Sequence, residues 1–169
     1  MKVLETERTI IRWMTPEDAP FILKLVNDPD WLRYIGDRGV RTLDDAHSYL
    51  EKGPIDMYRR LGFGTYVVVL KETGAPMGSC GLVKRDGLED VDIGFAFLPA
   101  YRTKGFAYEA SSAVLEYARA QLGLKRLVAI ATPGNASSTR LLERLGLRLE
   151  GKVNLPNDPV SLNLFAIDF

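Results

Sequence analysis

Histidine and cysteine are almost missing from this chain: His47 and Cys80 are the only examples among 169 residues. One cysteine closes no internal disulfide and fits a reducing compartment. One histidine beside one cysteine makes no zinc-ligand set, so no metal site is expected. Cys80 has no histidine partner in evidence that would activate it, and it reads as a small buried residue. Net charge is missing too, with 22 basic against 22 acidic side chains, which argues against attachment to nucleic acid by bulk charge and leaves only a local basic patch open. There is no long hydrophobic run. "YVVVL" (66–70) and "LVAIA" (127–131) are strand-sized, far short of a bilayer span. The opening "MKVLETERTIIRW" is too charged for a signal peptide. No repeat, low-complexity tract or Gly/Ser/Pro-rich linker divides the chain. The expectation is a single cytoplasmic domain over residues 1–169 with no membrane or nucleic-acid partner.

What is present suffices for a core, since a chain this long with 46% hydrophobic residues buries a full interior without staples. "RTIIRWM" (8–14) reads as a first strand. In "TPEDAPFILKLVND" Thr15 suits an N-cap, Pro16 the first helical position and Asp18 the first turn, and Phe21, Ile22, Leu25 and Val26 recur at helical spacing. "DPDWLRYIGDRGV" reads as irregular or a short helix. "TLDDAHSYLEKG" starts a second helix at Thr42, and "MYRRLG" is ambiguous. Residues 63–98 hold three β-rich runs separated by "ETGAP" and "RDGLED", an antiparallel meander. A turn, "AYRTKG", leads into the helix "FAYEASSAVLEYARAQLG", with Gly123 suited to the residue just past its end. "KRLVAIAT" is a strand apolar on both faces, "PGNASSTRLLERLG" a loop into a helix, and "LRLEGKV" with "VSLNLFAIDF" a closing hairpin. This order is mixed α and β (α+β) and implies one central, mostly antiparallel sheet with helices on both sides.

Two places carry chemistry. In "YRTKGFAYEA" the start of a helix leaves backbone N–H groups free at the positive end of the helix dipole, an arrangement that suits phosphate. Gly105 permits close backbone approach, Ala107 adds clearance, and Arg102 and Lys104 add charge. Neither a Walker A loop nor a dinucleotide fingerprint is present. The alternative is a helix start with a solvated basic turn. In "PGNASSTRLLERLG", Asn135 and Ser138 lie just past a strand end, where ligands gather in sheet proteins. Asn135 offers a donor and an acceptor and Ser138 a hydroxyl, yet either residue equally serves as a helix cap.

Joined, "YRTKGFAYEA" and "TPGNASSTRLLERLGLRLEG" resemble the pyrophosphate turn and the Asn-x-x-Ser-x-x-Leu segment of the GNAT superfamily of acetyl-CoA-dependent N-acetyltransferases. "LETERTIIRWMTPEDA" and "VDIGFAFLPAYRTKGFAYEA" resemble the branch that acetylates ribosomal-protein N-termini (RimJ/RimL-like). The resemblance runs nearly end to end and weakens between about residues 29 and 65. It implies a GNAT-like fold, a twisted, splayed and mostly antiparallel sheet flanked by helices on both faces. It also implies that "DIGFAFLP" carries a bulge and splays from its neighbour. The backbone of Phe95, Ala96 and Phe97 would then meet the pantetheine arm as a surrogate strand, while the side chains of Phe95 and Phe97 belong to the core. The resemblance further implies pyrophosphate on the backbone N–H groups of Thr103, Lys104, Gly105, Phe106, Ala107 and Tyr108, with Arg102 nearby and Asn135 on the pantetheine arm.

Many relatives place a tyrosine acid seven residues after the asparagine, where this chain has Leu142. Ser138 matches the serine that the resembled branch carries, and the resemblance makes it the candidate partner of the leaving thiolate. Asp92 is the candidate base, Glu89 and Asp90 read as turn residues, and Glu109 reads as structural. The implied reaction moves acetyl directly from acetyl-CoA to a primary amine. The favoured acceptor is a protein N-terminal α-amine, and a polyamine, amino acid or antibiotic is the alternative within the class. A CoA-binding sensor without turnover is the alternative outside it. The aromatic and charged segment 27–40 suits either an acceptor pocket or helix packing, and the loop "NLPNDP" (154–159) would rim the same cleft. Relatives are commonly homodimers, which no feature of this sequence shows.

Overall fold

The computed structural model describes residues 1–169. The first strand of the sequence reading is the second strand of a hairpin: β1 (Lys2–Glu5) precedes β2 (Thr9–Arg12) and pairs with it antiparallel. Only Val3 and Leu4 mark β1 as a strand, too few for a period to register. After β2 the Asp18 carboxylate accepts the Thr15 N–H (2.8 Å) and pairs with Arg12 (2.9 Å). It thereby fixes a short 3₁₀ turn ahead of α1 (Ala19–Leu25). Asp28 caps α2 (Pro29–Tyr34), and Thr42 caps α3 (Leu43–Leu50). The helical path continues through a π turn at Glu51–Ile55 that accommodates Pro54, and into α4 (Asp56–Leu61). Gly62, at φ +79°, ends it in the left-handed conformation that glycine adopts without strain. The ambiguous "MYRRLG" is thus helix.

The meander follows as expected: β3 (Thr65–Leu70), β4 (Pro76–Val83) and β5 (Asp92–Phe97), each antiparallel to the one before. Then come α5 (Phe106–Ala120), β6 (Arg126–Ala131), α6 (Ala136–Arg144), β7 (Arg148–Val153) and β8 (Leu162–Asp168). One eight-stranded sheet results, in the order β1-β2-β3-β4-β5-β6-β8-β7. Every pairing is antiparallel except β5 with β6.

The two sheet faces bury separate cores. Ile93, Phe97, Ala129 and Ala131 join Phe106, Ala110, Val114 and Leu142, so α5 and α6 cover one face. Val67 and Leu98 join Ile22, Leu25, Ala46 and Leu50, so α1 and α3 cover the other. Helices on both sides of a mostly antiparallel sheet were legible in the sequence, and the structure shows them.

The parallel pair is where the sheet opens. β5 and β6 share a single register position, Asp92 with Val128, secured by the Val128 N–H on the Val91 carbonyl (3.0 Å), and then diverge. The expected bulge in β5 is absent. Its register with β4 runs unbroken from Gly78–Phe97 to Val83–Asp92, and the shifts fall instead in β1–β2, β3–β4 and β7–β8. Divergence from β6 opens the gap without an extra residue. Gly78 permits the close β4–β5 approach, since a Cβ there would lie 2.4 Å from the Ala96 carbonyl oxygen.

Candidate active site

Where β5 and β6 part, the β5 backbone is left without a sheet partner. The Leu98 N–H bonds to the Met77 carbonyl (2.9 Å). Antiparallel alternation therefore turns Ala96 toward β4 and aims the N–H and C=O groups of Phe95 and Phe97 into the gap. Of the three positions expected to meet pantetheine, two face the opening and Ala96 belongs to the β4 ladder. The rings of Phe95 and Phe97 pack into the core on the α5 side. Asp92, Gly94 and Ala96 point to the opposite face, toward α1 and α3.

Beyond β5, the chain turns at Pro99–Tyr101 and enters α5 at Gly105, whose φ is +84°. Thr103 also has positive φ, +60°. No backbone N–H from Thr103 to Tyr108 bonds to a protein acceptor, and the first intrahelical bond is Glu109 N–H to the Gly105 carbonyl (3.0 Å). Six successive free donors at a helix N-terminus, two of them in or beside left-handed residues, make a concave anion cradle. Thr103, Lys104 and Gly105 are exposed.

Residues remote in sequence brace this cradle from behind. Glu109 accepts from the Thr6 hydroxyl (2.6 Å), the Arg8 N–H (2.9 Å) and the Arg8 Nε (2.8 Å). Arg8 in turn donates to the Lys104 carbonyl (3.1 Å) and lies 4.1 Å over the Phe106 ring. The structural reading of Glu109 holds. Arg8 was missed as a contributor, although it stands in the quoted "TER" stretch.

Arg102 is held elsewhere. Its guanidinium donates to the Phe97 carbonyl (2.9 Å) and pairs with Asp28 and with Asp30 (3.0 Å) at the start of α2. The far end of α2 is fastened to the other side of the gap, where the Thr132 hydroxyl donates to the Tyr34 carbonyl (2.7 Å). α2 thus crosses the mouth of the opening. It carries Trp31, whose buried indole N–H has no partner. Segment 27–40 therefore forms a wall of this opening as well as packing against the α1–α3 core.

On the β6 side, Asn135 caps α6 through its side-chain oxygen, which accepts the Ser138 N–H (3.3 Å). The capping role is real, and it leaves the Asn135 amide NH₂ and the Ser138 hydroxyl without protein partners. Leu142 is 1% exposed, part of the core beneath α5 and α6. Asp92 is also 1% exposed; one carboxylate oxygen pairs with Arg85 and the other, Oδ1, has no partner. Burial pushes its pKa up, against the pull of Arg85. Nothing in the sequence announces Arg85, seven residues away across a turn.

Most of the chain, residues 8–148, matches the family model described as the acetyltransferase (GNAT) domain. The chain belongs to the GNAT family. The uncharacterized N-acetyltransferase YnaD of Bacillus subtilis (strain 168) is 30% identical over 148 residues, 88% of this chain and 84% of that protein. A crystal structure of a GNAT-family acetyltransferase from Bacillus anthracis superposes with a TM-score of 0.80 at 28% identity, covering 99% of this chain and 98% of that one. RimL, a ribosomal L7/L12 α-N-protein acetyltransferase solved with coenzyme A, shares the fold at a TM-score of 0.84 and 16% identity, covering 100% and 98%. This GNAT is an acyltransferase, dependent on acetyl-CoA as its family is. No helix is long and apolar enough to cross a membrane.

Proposed function

We propose that this single domain transfers acetyl from acetyl-CoA to a primary amine, with a protein N-terminal α-amine as favoured acceptor. The observation that carries the reading is the pairing of a split sheet with six free N–H donors at the adjoining helix start. A flexible arm with amides fits the first, and its phosphates the second. The fold likeness to RimL supports the choice of acceptor.

In this reading the free N–H groups of residues 103–108, with Lys104, hold pyrophosphate. Arg102 adds positive potential beside the cradle while its donors hold α2. The Phe95 backbone and the Phe97 N–H pair with the pantetheine arm, the Phe97 carbonyl being held by Arg102, and the Asn135 amide NH₂ donates to it. An N–H of β5 facing the thioester carbonyl stabilises the developing oxyanion. The acceptor enters from the α1–α3 side, where Asp92 points. A new C–N bond forms as the C–S bond breaks. The amine proton passes to Asp92, and the thiolate draws a proton from the Ser138 hydroxyl, which solvent replenishes. An α-amine, with pKa about 7.7–8.0, reaches the neutral form far more easily than lysine near 10.4. One modest base is then enough.

Thiol release from acetyl-CoA in the presence of an alanyl peptide tests this. Steady release that falls at least tenfold in both Asp92→Asn and Ser138→Ala, with cofactor affinity retained, is expected. Binding of acetyl-CoA without release to any amine would mark a sensor and refute the transferase mechanism.

A further inference from the structure

A cleft of about 420 Å³ opens beside the α1–α3 face, between the loop after α2 and the α3–π turn, with Arg38, Asp45, Ser48, Tyr49 and Lys52 among its walls. We propose that it receives an anionic group of the acceptor, a carboxylate or a phosphate, and so selects amines that carry negative charge near the reacting nitrogen. The proposal rests on the transferase reading above and deepens it.

Charge bookkeeping favours an anion. Neighbouring cations are occupied: Arg41 by Asp37 and Asn27, Arg59 by Glu51, Arg85 by Asp92. Arg38 and Lys52 are in none of these pairs, and both line the cleft. The one carboxylate in the wall, Asp45, is oriented by the Arg41 and Thr42 N–H groups at the start of α3, both on its Oδ2 (2.9 and 3.1 Å), and keeps its charge, so the wall carries two cations against one anion. A free cation pair with Ser48 as a hydroxyl donor matches a carboxylate or phosphate. A polyamine would meet repulsion from both cations, offset only in part by Asp45.

Position ties the cleft to the chemistry. Tyr49 forms its inner wall and packs into the same core as Ala96 and Trp31. Ala96 lies on the face of β5 that carries Asp92, and Trp31 lies on the helix across the gap. Burial pushes the Tyr49 hydroxyl pKa up, against the pull of Arg38 and of Arg85, the partner of Asp92. In this proposal an acceptor whose amine reaches Asp92 extends past Tyr49 toward Arg38 and Lys52.

The test uses the full chain with saturating acetyl-CoA and four acceptors: the amides of Ala-Glu-Glu, Ala-Gly-Gly and Ala-Lys-Lys, and phosphoethanolamine. Ala-Glu-Glu amide is expected to show a KM at least tenfold below that of Ala-Gly-Gly amide. The double variant Arg38→Gln/Lys52→Gln should raise the KM of the acidic peptide to that of the neutral one with its kcat unchanged. Lys52→Glu should shift preference toward Ala-Lys-Lys amide. Better use of phosphoethanolamine than of the acidic peptide, lost in the same variants, would assign the cleft to phosphate. Equal KM values for the three peptides, or a preference that survives the double variant, would overturn the proposal. Calorimetric binding of the acidic peptide to the protein–CoA complex separates the two readings. Binding without turnover, weakened tenfold by the double variant, upholds the cleft and refutes α-amine transfer; neither binding nor turnover refutes the cleft.

Discussion

Replacing Glu109 by alanine removes one acceptor from three donors at once: the Thr6 hydroxyl, the Arg8 N–H and the Arg8 Nε. A hydrogen bond to a charged group contributes about 1.5–3 kcal/mol. The three share one carboxylate, and Arg8 is 41% and Glu109 20% exposed, so solvent screens the ionic part. We therefore take about 3 kcal/mol for the set rather than a sum. In a chain of this length that lowers Tm by on the order of 6–12 °C. The same variant frees Arg8 from its place against the Lys104 carbonyl and the Phe106 ring, so acetyl-CoA must order the cradle on binding. Fixing even one residue's backbone costs about 1–2 kcal/mol, roughly tenfold in Kd.

Acid should act like the variant. Burial alone would push the Glu109 carboxyl up, but the bonds from Thr6 and from the backbone and side chain of Arg8 outweigh it and hold it below its ordinary value of 4.5. The brace is then intact above that value and is lost as pH falls through the depressed one. The assays are thermal unfolding against pH and calorimetric titration with acetyl-CoA. The wild-type advantage in Tm should be full at pH 7 and should vanish in strong acid. A variant with wild-type Tm and affinity at pH 7 would refute the brace.

Gly105→Val should abolish acetyl-CoA binding and cost about 1–2 kcal/mol of stability, because φ +84° strains a β-branched residue and its Cβ would lie 3.3 Å from the Arg8 guanidinium; wild-type affinity by calorimetry would remove this turn from the site. Burial pushes the Cys80 thiol up to about 12, so iodoacetamide at pH 8 should label the unfolded chain and leave the native one unmodified, as mass spectrometry would report. With the Asp92 pKa raised by burial, kcat/KM should climb with pH as its carboxyl ionises, and Asp92→Asn should flatten that limb; an unchanged profile would assign the proton to solvent.

The sequence exposed what is locally encoded. Turn residues delimited the meander, Thr15 and Thr42 marked helix starts, and Gly105 marked the backbone conformation that opens the cradle. Positions whose meaning lies in distant contacts stayed hidden. Arg102 sits in the turn beside the cradle, and only the fold shows its guanidinium taken by Asp28 and Asp30. Arg8 and Glu109 lie 101 residues apart, and no spacing rule joins them. The continuity of α3 and α4 was obscured by Pro54, which the π turn absorbs. Asn135 caps α6 with its side-chain oxygen, and its amide NH₂ stays free for the role proposed above.

The split in the sheet also bears on aggregation. An unpaired strand edge is a template for any extended chain, and this sheet has edges at its rims and two more inside the gap. The rims are guarded by charge and irregularity: Lys2 and Glu5 on β1, and Arg148, Glu150 and Lys152 on β7, whose register slips between Leu149 and Gly151. The inner edges carry no such guard along most of their length: the Phe95 groups and the Phe97 N–H are open, and only the Phe97 carbonyl is taken, by Arg102. They are protected by geometry instead, with α5 and α6 beneath and α2 strapped across the mouth at Arg102 and Thr132. A neighbouring protein's strand, with its side chains on both faces, meets these helices before it reaches the open N–H and C=O groups.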